Sequence, residues 1–255
     1  MTVTAAEVRS TDRWARRSPW SMLTTPAVLL AVTGALLLYL RGADLDEIER
    51  RSINADVITQ RFVEHVELVV VSTALVLAIA IPLGVALTRP RARWLAAPFL
   101  ALANLGQAIP SIGILVLLAV TVGIGFDKAV IALVLVSALP VLRNTMVGLQ
   151  GVDRSLIDAG RGIGLSRGAV LFRVELPLAV PVILASVRVA VILNVGSATL
   201  AAFTNAGGLG DLINTGIALN RNTVLLTGSI LTAVLALAAD WLVGVADHYL
   251  RPRGI

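Results

Sequence analysis

Apolar runs long enough to cross a bilayer, and the polar stretches between them, constrain this chain more than any single residue. A helix needs about 20 mostly apolar residues to cross the hydrocarbon core. Runs approaching that length occur at 23–40, 66–87, 128–142, 180–202 and 224–246, with a longer one from 95 to 126. They are continuous rather than alternating, which disfavours a membrane β-barrel. Only 15% of the residues are charged and 57% are hydrophobic, whereas soluble domains are about one quarter charged. The expectation is an all-α, polytopic membrane protein with about six transmembrane helices.

The polar intervals set the expected topology. Residues 1–22 form an Arg-bearing segment, and 23–40 reads as an uncleaved first span, because Tyr39-Leu40-Arg41 offers no small-residue cleavage site. The connection 41–65 is acidic and suits the external side. A core of five transmembrane helices follows over 66–247, including the loop 152–181, and 248–255 is a basic tail. Segments assigned to the inside hold 14 of the basic residues and those assigned to the outside hold 6, which places both termini in the cytoplasm by the positive-inside rule. The formal charge of +5 is thereby accounted for by loop retention, with no nucleic-acid partner. The absence of cysteine excludes disulfides and thiolate metal sites.

Two intervals depart from a plain span. Between 95 and 126, Ile109-Pro110-Ser111 interrupts a run that also carries Asn104 and Gln107. Proline removes a backbone donor and disfavours helix at the residue before it, so a kink or broken helix is expected. Backbone freed at membrane depth must be satisfied by protein or by water in a cavity. Asn104, Gln107, Pro110 and Ser111 are accordingly candidate pathway residues, the alternative being an ordinary proline kink packed between helices.

The second interval is 152–181, the most polar long stretch after residue 100. Ser155 and Asp158 have capping-box spacing, predicting a helix from about Arg154 with Leu156, Ala159 and Ile163 on one side and Arg154 and Arg161 elsewhere. Gly160, Gly162 and Gly164 weaken that helix, and Gly164 is its expected stop. Ser166 is positioned to cap a second helix to about residue 175, ended by Leu176-Pro177. A helix this short needs docking to be fully ordered.

The run Ile157-Asp-Ala-Gly-Arg-Gly-Ile-Gly164, followed by Leu176-Pro177 and Pro181, resembles the "EAA" loop of bacterial ABC importer permeases. Asp158 stands for the Glu of that pattern and Gly160 for its second Ala. Stretches at 67–84, 104–113, 139–144, 196–201 and 206–211 resemble permeases of the osmoprotectant branch, which carry glycine betaine, choline and carnitine-like amines; the resemblance covers about residues 60–220. It implies the permease fold, with Asp158, Ala159, Gly160, Arg161 and Gly164 in a coupling helix that contacts an ATP-binding subunit. It also implies a pair of such subunits, a second permease copy, identical or not, an external substrate-binding protein and a place in the bacterial inner membrane. No Gly-x4-Gly-Lys-Ser/Thr loop occurs. The chain is thus expected to be a transport subunit, not an enzyme, and to hold no cofactor; ATP and magnesium belong to the partner. Another small solute, such as an amino acid or sulfonate, is the alternative cargo, and an ATP-independent channel or secondary transporter the alternative class.

Within the spans, Arg188 is a costly intramembrane charge that either lines the pathway, pairs with Asp240 or reaches toward the interface. Asn194, Ser197 and Thr199 read as contacts between helices, with Asn194 also a candidate pathway residue. His65 and His248 fall at expected interfaces. With only 4% aromatic residues, a tight aromatic cage for a quaternary amine is not expected inside the membrane.

Overall fold

The structure, a computed structural model, describes residues 19–250, and every regular element among them is helical. The amino-terminal segment through residue 18 and the tail from 251 lie outside the described residues, as do the side chains of 19–22, 105–107 and 250. Helix α1 is Pro19–Gly42, α2 is Glu47–Ser52 and α3 is Ala55–Thr88. After a short turn, α4 (Ala96–Ala108) and α5 (Ser111–Thr121) lead to α6 (Phe126–Gln150). Then come α7 (Arg154–Gly162), α8 (Arg167–Val170), α9 (Leu176–Ala198), α10 (Gly210–Ala218) and α11 (Asn222–Leu250).

Among the described residues, five helical segments are long and apolar enough to cross a membrane. The sixth crossing is split. Ile109 and Pro110 are extended, with ψ of 127° and 138°, so α4 and α5 are two half-length helices, as the sequence signal at Pro110 requires.

The second crossing begins earlier than the hydropathy indicates. Asn54 accepts the Val57 N–H at 2.9 Å, and α3 then runs for 34 residues, about 50 Å at 1.5 Å per residue. The hydrocarbon core is about 30 Å thick, so the first turns of α3, with Asp56, Arg61 and Glu64, project beyond it. The expected external connection 41–65 is therefore mostly helix. Its other part, α2, is held by a reciprocal cap in which Asp46 accepts the Glu49 N–H and Glu49 accepts the Asp46 N–H.

Helix α6 is the central post. It packs on α3 and α9, and Leu68, Val69, Ala129, Ala132, Leu133 and Val195 form part of one continuous core. Lower down, Val76, Ala80, Val141, Leu142, Met146 and Ala190 extend it. Half of the most apolar window of α6 is buried, against 6% for α1, so α1 is peripheral and packs on α11. The ends of α3 and α6 and the start of α9 meet on what we call the loop side. The opposite end, the far side, carries the turn at Gly125, whose N–H bonds the Thr204 carbonyl at 2.9 Å.

The far end depends on one close approach. A Cβ on Gly210 would lie 1.9 Å from the Thr199 carbonyl oxygen, whereas one on Gly34 meets nothing within 4 Å. Gly210→Ala is expected to lower stability by about 3 kcal/mol or more, read as a fall in the thermal unfolding midpoint in detergent. Gly34→Ala is expected to leave it unchanged or slightly raised; equal midpoints for the two variants would contradict the close approach.

Candidate functional site

On the loop side, α7 is capped by Asp153, which accepts the Ser155 N–H at 2.9 Å. The expected Ser155–Asp158 box does not form, because Asp153 sits one residue before the helix and already fills that role. The same bond holds the Asp153 carboxyl below the usual carboxylate range. With a depressed folded value, the cap is intact above the ordinary carboxylate pKa and is lost as pH falls through the depressed one. The helix ends in a Schellman motif. Leu165 N–H bonds the Gly160 carbonyl at 3.1 Å and Gly164 N–H bonds the Arg161 carbonyl at 2.9 Å, with Gly164 at φ +89°.

Ser166 caps α8 by accepting the Ala169 N–H, but Leu176-Pro177 does not end the second helix. A π turn over Leu171–Glu175 carries α8 directly into α9. The shifted register accommodates the N–H that Pro177 lacks. The α7–α8 hairpin is thereby a rigid extension of a membrane crossing.

This geometry gives α7 two faces. Leu156, Ala159 and Ile163 point away from the rest of the chain, with Leu156 47% and Ile163 80% exposed. Asp158 and Gly164 are exposed as well. Two of the residues expected to meet a partner lie elsewhere. Gly160 is buried against Leu165, Val170 and Val174 of its own hairpin, because its position faces α8. Arg161 turns with Arg154 and Ile157 toward the membrane ends of α3 and α6, its Nη1 4.0 Å from an Asp158 oxygen.

In the middle of the protein, Arg188 forms a two-pronged ion pair with Asp240, joining α9 to α11. Asn194 is fully buried and donates to Thr73 Oγ1 at 3.0 Å, a contact between α9 and α3 and not an exposed lining position. Along the split crossing, Asn104, Ile109 and Pro110 are exposed on the chain's own surface and Ser111 is half-buried. The Gln107 side chain lies outside the described residues.

The far side holds a cluster that the sequence reading passed over. His65 is completely buried, since α3 starts at Ala55 and residue 65 lies three turns inside it. Its Nδ1 accepts the Leu209 N–H at 3.2 Å and its Nε2 donates to the Val195 carbonyl at 3.1 Å. Next to it, Glu64 accepts the Gly208 N–H at 2.9 Å, and Arg61 bridges Glu64 and Asp211, each at 2.8 Å. Burial raises the Asp211 carboxyl above its usual value, with Glu64 adding to the rise and Arg61 opposing it. The only advance signal was the glycine-rich loop at 205–210, whose free amides need acceptors. Among the described residues no cluster of potential metal ligands occurs.

A helical membrane protein with one split crossing, and a short helix held off a crossing with its apolar side uncovered, has the build of a permease subunit that takes its drive from a partner. The chain belongs to the family of binding-protein-dependent transport system inner membrane components, whose family model matches residues 80–252. It is 38% identical over 192 residues to the choline transport system permease protein OpuBB of Bacillus subtilis, covering 75% of this chain and 88% of that one. It is also 38% identical over 220 residues to the osmoprotectant import permease protein OsmY of Salmonella typhimurium, covering 86% and 92%. Among solved structures, an inward-facing MetNI methionine ABC transporter superposes with a TM-score of 0.67 at 25% identity, covering 76% of this chain and 96% of that one. The chain is thus a transport subunit and not an enzyme, with ATP hydrolysis left to a separate subunit.

Two expectations follow from this geometry. A Cβ at Gly160 would meet its neighbours at 3.6 Å, an ordinary contact, so Gly160→Ala should stabilise α7 by about 1 kcal/mol. Gly164→Ala, at positive φ, should destabilise it by about 1–2 kcal/mol. Hydrogen exchange of the 154–165 amides reads both, and slower exchange in Gly164→Ala would contradict the motif. For the ion pair, whose members are 33% and 23% exposed, Arg188→Met should lower stability by roughly 2 kcal/mol, between the values for exposed and buried pairs. Arg188→Met/Asp240→Met should restore it. If the double variant is no more stable than the single one, the pair does not hold α9 to α11.

Proposed function

We propose that this chain is the membrane-spanning subunit of an ATP-driven importer for osmoprotectants, quaternary amines such as glycine betaine, choline and carnitine. Its loop side and both termini lie in the cytoplasm of a bacterial cell. The observation that carries the reading is the uncovered apolar face of α7, with Leu156, Ala159 and Ile163 exposed on a helix fixed to a crossing through the α8–α9 turn. Exposed apolar residues on a charged loop mark a protein contact, and a helix continuous with a span moves the span when it is moved. An ATP-binding subunit pair docks there, two permease copies, identical or not, enclose the path, and an external binding protein delivers the solute.

Orientation is supported by the excess of Arg on loop-side segments. The cargo class is supported by the relatives named for choline and osmoprotectant import. Asn104, Ser111 and the extended backbone at Ile109–Pro110 are proposed to face the path, since Asn104, Ile109 and Pro110 are exposed on a single chain at membrane depth and the half-buried Ser111 adjoins them. An amino acid is the second reading, favoured by the structural likeness to a methionine transporter.

The test is uptake of labelled choline by proteoliposomes holding the chain, its ATP-binding subunit and its binding protein. Uptake should need ATP and be suppressed by excess glycine betaine or carnitine. Ile163→Asp should reduce it at least about tenfold, the effect of losing about 1.4 kcal/mol of coupling, while the chain still inserts and folds. Indifference to all three amines would assign another cargo, and uptake without the ATP-binding subunit would overturn the importer reading.

A further inference from the structure

The loop side also holds a cavity that the proposed docking of α7 leaves unused. It has a volume of about 360 Å³ and lies between the inward face of α7, the end of α6 and the turn after α3. Arg89, Arg93, Arg154 and Arg161 line it, against Glu175 as the one acidic residue. Glu175 is spent on Arg89, which it binds through both oxygens at 3.1 and 2.5 Å. Arg161 has only the distant Asp158. Among the described residues, neither Arg93 nor Arg154 makes a side-chain hydrogen bond or an ion pair. The cavity therefore carries uncompensated guanidinium charge, and its floor includes the apolar Leu149, Val152 and Ile157.

We propose that this cavity binds the phosphate-bearing headgroup of an anionic phospholipid, which bridges Arg93 on the turn after α3 to Arg154 on α7. Guanidinium groups bind phosphate oxygens through paired, charge-assisted hydrogen bonds, and basic pockets between membrane helices are suited to lipid headgroups. Three features select a lipid over a soluble anion. The cavity opens beside a turn that joins two membrane crossings. Trp94, next to Arg93, is 73% exposed, as expected of an indole seated at headgroup depth. The apolar floor suits the glycerol end of a lipid and gives nothing to free phosphate. The proposed ATP-binding partner meets the opposite face of α7, so it does not compete for the cavity. The bound headgroup ties the position of α7 to the membrane surface, whichever solute the permease carries.

The experiment is native mass spectrometry of the purified full chain titrated with phosphatidylglycerol or phosphatidylcholine. Wild type is expected to hold one phosphatidylglycerol about tenfold more tightly than phosphatidylcholine. Arg93→Gln/Arg154→Gln should lose that preference with an unchanged thermal midpoint, because neither side chain is bonded among the described residues. Arg167→Gln/Arg173→Gln, exposed positions outside the cavity, should keep it. Equal loss in both double variants would reduce the effect to general charge and overturn the site. Displacement of the lipid by millimolar inorganic phosphate would assign the cavity to a soluble anion. Expulsion of the lipid when the ATP-binding subunit binds would assign it to that interface.

Discussion

The hydrocarbon core offers no water to backbone amides and carbonyls, and the whole structure is arranged around that fact. Every long element is a helix, and the crossings are assembled on α6, with α3 and α9 packed against it. Several departures from helix lie where something else supplies the bonds. At the far side, His65 and Glu64 take the Leu209 and Gly208 amides. At the loop side, Asp153, Ser166 and the Schellman turn at Gly164 close the helix ends. The break at Pro110 interrupts a crossing with extended backbone.

The loop connecting α6 to α9 converts this rigidity into a point of attachment. A helix of nine residues is marginal alone, yet here it is capped at both ends and backed by α8. Because α8 passes through the π turn into α9 without a break, a push on α7 acts on a helix that reaches the far side. There α9 meets α3 through His65 and the Val195 carbonyl. Through Arg188 and Asp240 it also meets α11. The chain thus contains a continuous packed route between its two ends, which is the mechanical requirement of a drive applied at α7.

Much of this was legible in the sequence. Apolar run length gave the crossings, Pro110 gave the split, and Gly164 gave the end of α7, each because a single local rule dominates. Three features were not legible, for reasons that are tertiary. The start of α3 lies in a polar stretch, so hydropathy is blind to it and only the Asn54 cap marks it. Misplacing that start put His65 at an interface when it is buried. The π turn before Pro177 is invisible to rules that treat Leu-Pro as a stop, because a register shift keeps the helix going. The division of α7 into an outward apolar face and an inward Arg face was partly visible from spacing. That Gly160 and Arg161 belong to the inner side depended on where α8 and α3 stand.

The central claim, that α7 presents its Leu156–Ala159–Ile163 side to an ATP-binding subunit, can be tested directly because the chain has no cysteine of its own. Single cysteines placed at Ile163 and at Arg154 lie on opposite faces of one helix, so a short cross-linker reports which face meets the partner. The account requires the Ile163→Cys chain to form an adduct with the ATP-binding subunit that changes in yield when ATP is added, and the Arg154→Cys chain to form little or none. An adduct from Arg154→Cys alone, or equal adducts from both with no response to ATP, would contradict it.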